Sequence, residues 1–277
     1  MRWLVIVLGI SVLCPRGSGA SDSLRTEVAM GTYRLENSKA RGVGTGFVVD
    51  RRVSSDEKRK ELLLVTAAHV LQKTEGNHVQ LILHEQSETD QWVAAPLELK
   101  IRQDEKSLWH QHPKLDVAVM RLPESTKLVD PIPLDKLADG DDWREAPPEP
   151  GELVRCVGFP HAAQFKPNQA GFPLTRLGCV ASYPLLPFKH HATFLVDCNL
   201  FEGDSGGPIY IESRRDGGMR NKIIGLVQGQ HFLDERYDLI YQDGHIRKRL
   251  GIAIVINSQG IWETIRALPD SGDTQPQ

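Results

Sequence analysis

An all-β architecture of two packed antiparallel barrels, closed by a short C-terminal helix, is the fold class this chain predicts. Three observations lead there. Short apolar runs of strand length recur along the chain, bounded by Gly, Pro and Asp; stretches with helical period are few; and one segment crowded with Asp, Glu and Pro, 136–151, divides the runs into two sets.

The first set comprises 42–49, 62–65, 79–84, 92–101 and 117–122, and the second 153–159, 177–182, 193–198, 208–212, 223–228 and 251–256. Residues 21–135 then form an N-terminal barrel, 136–151 a linker, and 152–267 a C-terminal barrel with its closing helix. That helix is expected in Ile261-Trp262-Glu263-Thr264-Ile265-Arg266, whose apolar spacing suits one buried face, and 268–277 reads as a flexible polar tail. No internal repeat is visible.

The composition is that of a folded globular body: 277 residues, 40% hydrophobic and 25% charged. A net charge of −3, with only short basic runs at Lys58-Arg59-Lys60 and Arg247-Lys248-Arg249, argues against nucleic acid as a partner. Residues 1–20 have the layout of a secretory signal peptide: Arg2, then a short apolar stretch from Trp3 to Leu13, then Ser18-Gly19-Ala20 as a cleavage point. The expected location is therefore secreted or periplasmic, with no membrane span after removal of the signal. An uncleaved N-terminal membrane anchor is the alternative, although the apolar stretch falls short of the roughly 20 residues a span needs. Removal of the signal leaves Cys156, Cys179 and Cys198; Cys179 and Cys198 flank a hairpin and could be cross-strand neighbours, and three separate buried thiols are the other reading.

The chemistry concentrates in three segments. Gly203-Asp204-Ser205-Gly206-Gly207-Pro208 sets a serine hydroxyl between glycines that leave the backbone free to approach an anion. Upstream, the apolar run 62–65 delivers His69 through Thr66-Ala67-Ala68, a candidate base held by a core strand. Between them, Asp116 starts the strand-like Asp116-Val117-Ala118-Val119 and could orient an imidazole. The order is His, Asp, Ser.

These three segments resemble the signature segments of the trypsin-like (chymotrypsin-fold) serine peptidases, over about Val43 to Ile265, and the chain order of the triad agrees with that family. Val70 follows the histidine where many animal relatives carry a disulfide cysteine, so the likeness is to bacterial trypsin-like and HtrA-type protease domains without a PDZ-type domain. The resemblance implies a serine endopeptidase acting on polypeptides. In it His69, Asp116 and Ser205 form the catalytic triad, the N–H groups of Gly203 and Ser205 form the oxyanion hole, and no cofactor takes part.

By position in the family pattern, Asn199 is the base of the primary specificity pocket, Gln228 and Gly229 belong to the segment that pairs with extended substrate, and Gly229 and Gly251 line the pocket walls. An uncharged Asn199 argues for a neutral or small apolar side chain at the cleaved bond rather than Arg or Lys. Asp204 stands where many animal relatives receive a new amino terminus on activation. No basic cleavage site followed by an Ile-Val-Gly-Gly start precedes the first strand, so Asp204 is expected to find a Lys, Arg or backbone partner inside the fold and the chain to act without proteolysis. His78, His84, His110, His112, His190 and His191 are scattered over loops without a ligand set, so no metal is expected. Two other classes fit the same residues: a catalytically silent binding module, and an esterase using the same triad.

Overall fold

The computed structural model describes residues 23–37, 42–52, 60–126, 128, 130–161, 170–212, 221–239 and 242–268; residues 1–20, read as a signal peptide, and 269–277, read as a tail, lie outside them. The N-terminal half carries β1 (Thr32–Glu36), β2 (Gly42–Arg52), β3 (Lys60–Thr66), β4 (His78–Gln86), β5 (Trp92–Lys100), β6 (Arg102–Gln103), β7 (Lys106–Ser107), β8 (His110–Gln111), β9 (Ala118–Arg121) and β10 (Ile132–Pro133). Eight of these form one sheet in the order β5-β4-β1-β2-β3-β9-β8 with β10 beside β2, and β6 pairs with β7. Strand β3 lies between β2 and β9, and its Leu63, Leu64 and Val65 are fully buried, which is why its sequence is an unbroken apolar run rather than an alternation.

The C-terminal half carries β11 (Leu153–Gly158), β12 (Leu174–Val180), β13 (Thr193–Asp197), β14 (Pro208–Ile211), β15 (Lys222–Leu239) and β16 (Gln242–Asn257), closed into a barrel in the order β11-β12-β13-β16-β15-β14. The fold is therefore the mostly β class expected, with a closed six-stranded barrel, a second sheet and a short C-terminal helix. One apolar cluster crosses the seam: Val157, Tyr210, Leu226 and Ile256 of the second half pack with Phe47, Leu64, Val65 and Val70 of the first. A second cluster, including Cys156, Phe194, Val196 and Val255, fills the closed barrel.

The helices are α1 (Leu24–Met30), α2 (Ala68–Gln72), α3 (Gly140–Glu145) and α4 (Ser258–Arg266). Helix α3 lies within 136–151, the stretch read as a linker. Asp139 and Asp142 cap its N-terminus reciprocally, and Trp143 is buried with its indole N–H donating to Ser258 Oγ at 2.8 Å. Helix α4 starts at the Asn257 cap, buries Ile261 and Ile265 in the seam cluster, and so fastens the C-terminal barrel to the N-terminal half. Strands β15 and β16 run well past their expected ends into a ribbon held by Arg247–Asp234 and Lys248–Glu235 ion pairs and by Arg247 over the Phe232 ring at 4.2 Å.

Candidate active site

His69 sits in the first turn of α2, immediately after the buried end of β3. Asp116 lies in the loop before β9 and holds α2 by three contacts. Its Oδ1 accepts from the His69 backbone N–H at 2.8 Å, its Oδ2 lies 2.5 Å from His69 Nδ1, and its carbonyl accepts from the Ala68 N–H at 3.2 Å. An ionised carboxylate only accepts, so Nδ1 carries the proton and Nε2 is left as the basic nitrogen. Burial alone would push the Asp116 carboxyl up, but the hydrogen bonds and charge of His69, with Lys73 nearby, bring it below the ordinary carboxylate range.

The loop that presents Asp116 is braced by a residue the sequence reading left without a role. His112 Nδ1 accepts from the backbone N–H groups of Lys114 and Leu115 at 3.1 and 2.9 Å, and its Nε2 donates to Glu263 of α4 at 2.9 Å. An imidazole that accepts at Nδ1 has its proton on Nε2, so one tautomer serves both bonds. Leu115 and Gly260 of α4 are in close contact, since a Cβ at Gly260 would come within 2.6 Å of Leu115 Cδ1.

Ser205 comes from the other half, in a turn whose Gly203 and Gly206 have φ of 97° and 88°, the left-handed region that glycine tolerates. This turn is pinned to the N-terminal sheet. The Thr45 N–H donates to Ser205 O at 2.9 Å, Thr45 Oγ1 donates to Gly203 O at 2.6 Å, and Thr66 Oγ1 donates to Thr45 O at 2.7 Å. A Cβ at Gly206 would lie 2.1 Å from Thr45 O, 2.3 Å from Thr66 Oγ1 and 2.9 Å from Ala67 N, so the turn presses on the backbone that leads into His69. The structure thus brings the Ser205 turn and the His69–Asp116 pair to one seam. The Ser205 hydroxyl itself donates to Gln228 O at 3.3 Å, and among the described residues no hydrogen bond joins it to His69.

Neighbouring amides in the turn are satisfied: Asp204 N–H to Phe201 O, Gly206 N–H to Val227 O, and Gly207 N–H to Asp204 O. Those of Gly203 and Ser205 have no partner among the described residues, leaving two donors for an anion. Asp204 is 1% exposed at its side chain and is gripped by Arg176, with Nη1 to Oδ2 at 2.8 Å and Nη2 to Oδ1 at 2.6 Å, while the Phe201 N–H donates to Oδ2 at 2.7 Å. The expectation of an internal cation for Asp204 thus has a residue, Arg176 of β12, which nothing in its local sequence singles out.

Asn199 is exposed, and its Oδ1 is 3.8 Å from where a Cβ at Gly251 would lie. Its carbonyl is held by Arg176 Nη1 at 3.0 Å, and Gly251 O accepts from the Cys198 N–H at 2.9 Å. A Cβ at Gly229 would meet nothing within 4 Å, so the space beside Gln228 and Gly229 is open. The Arg249 guanidinium covers the Phe201 ring at 4.8 Å. Among the described residues no cluster of His, Cys, Asp or Glu has the arrangement to hold a metal. His84 is instead buried in a stack between Tyr33 and Phe172 and bonded to carbonyls of Thr32 and Ala170.

Residues 44–215 match the sequence profile of a family described as the trypsin-like peptidase domain. No curated protein sequence matches the chain. Among solved structures, neuropsin, a serine protease expressed in the limbic system of mouse brain, is similar with a TM-score of 0.51 and 16% identity over 87% of this chain and 94% of that one. The inactive form of the Rv3671c protease of Mycobacterium tuberculosis H37Rv gives a TM-score of 0.47 and 17% identity over 88% of this chain and 91% of that one.

Proposed function

The chain belongs to the family of trypsin-like peptidase domains, and from that premise we propose that it is an exported serine endopeptidase working through Ser205, His69 and Asp116. The observation that carries this reading is the pinning of the Ser205 turn against Thr45, Thr66 and Ala67, at the entrance to the helix where Asp116 already holds His69. In the reaction, the Ser205 hydroxyl turns from Gln228 O and attacks the scissile carbonyl carbon while His69 Nε2 takes its proton. Asp116 keeps the proton on Nδ1 and stabilises the imidazolium that forms. The carbonyl oxygen becomes an oxyanion in reach of the Gly203 and Ser205 N–H groups, each worth about 2.7–4 kcal/mol where comparable donors have been removed. His69 returns its proton to the leaving amine, and water, deprotonated by His69, hydrolyses the acyl-enzyme.

Asn199, Gly229 and Gly251 form a neutral pocket that takes a small uncharged side chain at the cleaved bond. Residues 1–20 act as the export signal, and no helix among the described residues is long and apolar enough to cross a membrane. The test is labelling by a fluorophosphonate probe of the protein without its leader, beside Ser205→Ala and His69→Ala. Strong labelling of the wild type alone is expected, and equal labelling of all three counts against the triad. Turnover of matched amide and ester substrates separates the peptidase from an esterase, and a wild type that neither labels nor turns over any substrate would favour a silent binding module.

A further inference from the structure

The edge of β15 that faces away from β16 meets three partners in succession and then none. Strand β14 pairs with it antiparallel from Lys222 to Leu226. At Val227 the Ser205 turn takes over from β14: the Val227 N–H donates to Gly207 O at 2.8 Å, and Val227 O accepts from the Gly206 N–H at 2.8 Å. At Gln228 the partner is the Ser205 hydroxyl, which donates to Gln228 O at 3.3 Å. From Gly229 to Leu239 no strand and no backbone hydrogen bond lies on this edge among the described residues, while the opposite edge stays paired with β16 as far as Leu239 and Gln242. In an antiparallel pair, about every second residue turns its N–H and C=O away from the partner. An open edge roughly 30 Å long therefore begins directly beyond Ser205.

The register with β16 shifts at Gln228 and His231, bulges that bend β15 as it leaves the barrel. From Phe232 to Leu239 the pairing runs without a further shift, so this stretch is a regular edge. Phe232 and Leu233 point to opposite faces of the ribbon and are 38% and 44% exposed, which gives an added strand an apolar neighbour on each face. Asp234, Glu235 and Arg236 follow, charges of the kind that keep an open edge from pairing with a second copy.

We propose that this edge is an extended substrate site, on which the part of the polypeptide N-terminal to the cleaved bond adds to β15 as an antiparallel strand. The substrate class is then a chain with about eight or more extended, proline-free residues before that bond. This deepens the peptidase reading above and rests on it. The direction follows from β15, which runs away from Ser205: an antiparallel partner runs toward Ser205 and arrives with the carbonyl to be attacked at its end. Strand β14 has the same antiparallel sense on the same edge. Main-chain hydrogen bonds supply the affinity, so the edge asks for a free N–H at alternate positions rather than for particular side chains, and proline fails there. Bonds made alike in the bound substrate and the transition state lower KM and leave kcat unchanged.

The test uses acetylated Thr-Gln repeats ending in Ala p-nitroanilide, with about three, six and nine residues before the cleaved bond. It reads kcat and KM on the full chain, and anisotropy of the same peptides, fluorescein-labelled, on Ser205→Ala. Affinity and kcat/KM should rise by on the order of 10-fold from the shortest to the longest peptide, through KM. N-methylation of successive amides in the longest peptide should remove the gain at alternate positions. A variant in which Asn-Gly replaces 233–248, closing the ribbon at the Phe232 and Arg249 register pair, should cleave the shortest peptide as the wild type does and lose the gain with length. Affinity independent of length, an N-methyl series without alternation, or a shortened ribbon that keeps the gain overturns the proposal; the first two need no variant ribbon to fold. A dimer in sedimentation that the shortened ribbon turns into a monomer would assign the edge to a second copy and overturn it as well. Failure to turn over any peptide would sink the peptidase reading, whereas binding to Ser205→Ala reads strand addition without turnover, so the two fail separately.

Discussion

Arg176 and Asp204 form a two-pronged ion pair beneath the Ser205 turn, with the carboxylate 1% and the guanidinium 19% exposed. Arg176 also holds Asn199 O, so one side chain ties Asn199 to the aspartate that precedes the serine. Burial pushes the Asp204 carboxyl up, and the two Arg176 bonds and the Phe201 N–H pull against it. With its cation supplied from β12, Asp204 is expected to need no new amino terminus, and the protein lacking residues 1–20 should label with a fluorophosphonate without further cleavage.

Arg176→Met leaves Asp204 buried without its cation. Removing one partner of a buried pair typically costs about 3–5 kcal/mol, so a clear drop in the urea midpoint is expected. Labelling should slow by on the order of 100-fold or more as the Gly203 and Ser205 amides lose their fixed direction. Arg176→Lys keeps the charge but loses the fork, and should fall between the two. Labelling of Arg176→Met at the wild-type rate would show that the turn holds its shape by other contacts.

Asp116→Asn tests the pair with His69 through its pH dependence. The Asp116 carboxyl lies below its ordinary range in the folded state, so the unfolded chain binds the proton more readily. The stabilising contribution is therefore fully present above the unfolded value of about 3.9 and disappears as pH falls through the lower folded value. The gap in urea midpoint between wild type and Asp116→Asn should be widest near neutrality and close in acid. Labelling at neutral pH should drop by on the order of 10⁴-fold, since the amide supports the wrong imidazole tautomer. A gap that widens on acidification would contradict this assignment of the carboxylate.

How much of this was legible in sequence depends on what holds each part together. Strand β3 was readable because Leu63, Leu64 and Val65 are buried, and the Ser205 turn because its glycines stand at close approaches and positive φ that other residues cannot take. Strand β1 left no such trace: its five residues are all buried, yet three of them are Thr32, Arg34 and Glu36, the last two an ion pair at 2.7 Å, which reads as polar chain. The β15–β16 ribbon was equally hidden, since a backbone ladder with mostly exposed side chains, charged ones among them, forms it rather than a buried apolar face. Arg176 was invisible because its role is set by a partner 28 residues away in the chain, a relation that no local pattern records.

His112 and Glu263 should separate by mutation although they share a bond. The Glu263 side chain is 48% exposed, so Glu263→Gln, which keeps an acceptor for His112 Nε2, should shift stability by no more than about 1 kcal/mol. His112→Ala removes the acceptor of two backbone N–H groups beside Asp116 and opens a hole in a buried site. A loss of about 2–3 kcal/mol and a several-fold slower labelling are expected, the latter because Asp116 is then less firmly placed. Equal effects of the two substitutions would mean that the bond to α4, rather than the loop, is what His112 provides.

Asn199→Asp addresses substrate choice directly. Asn199 Oδ1 lies beside Gly251, and the space over Gly229 is open, so a carboxylate at 199 would face the incoming side chain without a change in shape. A carboxylate there attracts a cationic side chain, so cleavage after Lys and Arg should rise by roughly 10-fold in kcat/KM, with little change in labelling by a small probe. A peptide library read by mass spectrometry resolves the effect. Wild-type cutting mainly after Lys or Arg would overturn the neutral pocket, and an unchanged preference in Asn199→Asp would remove Asn199 from its base.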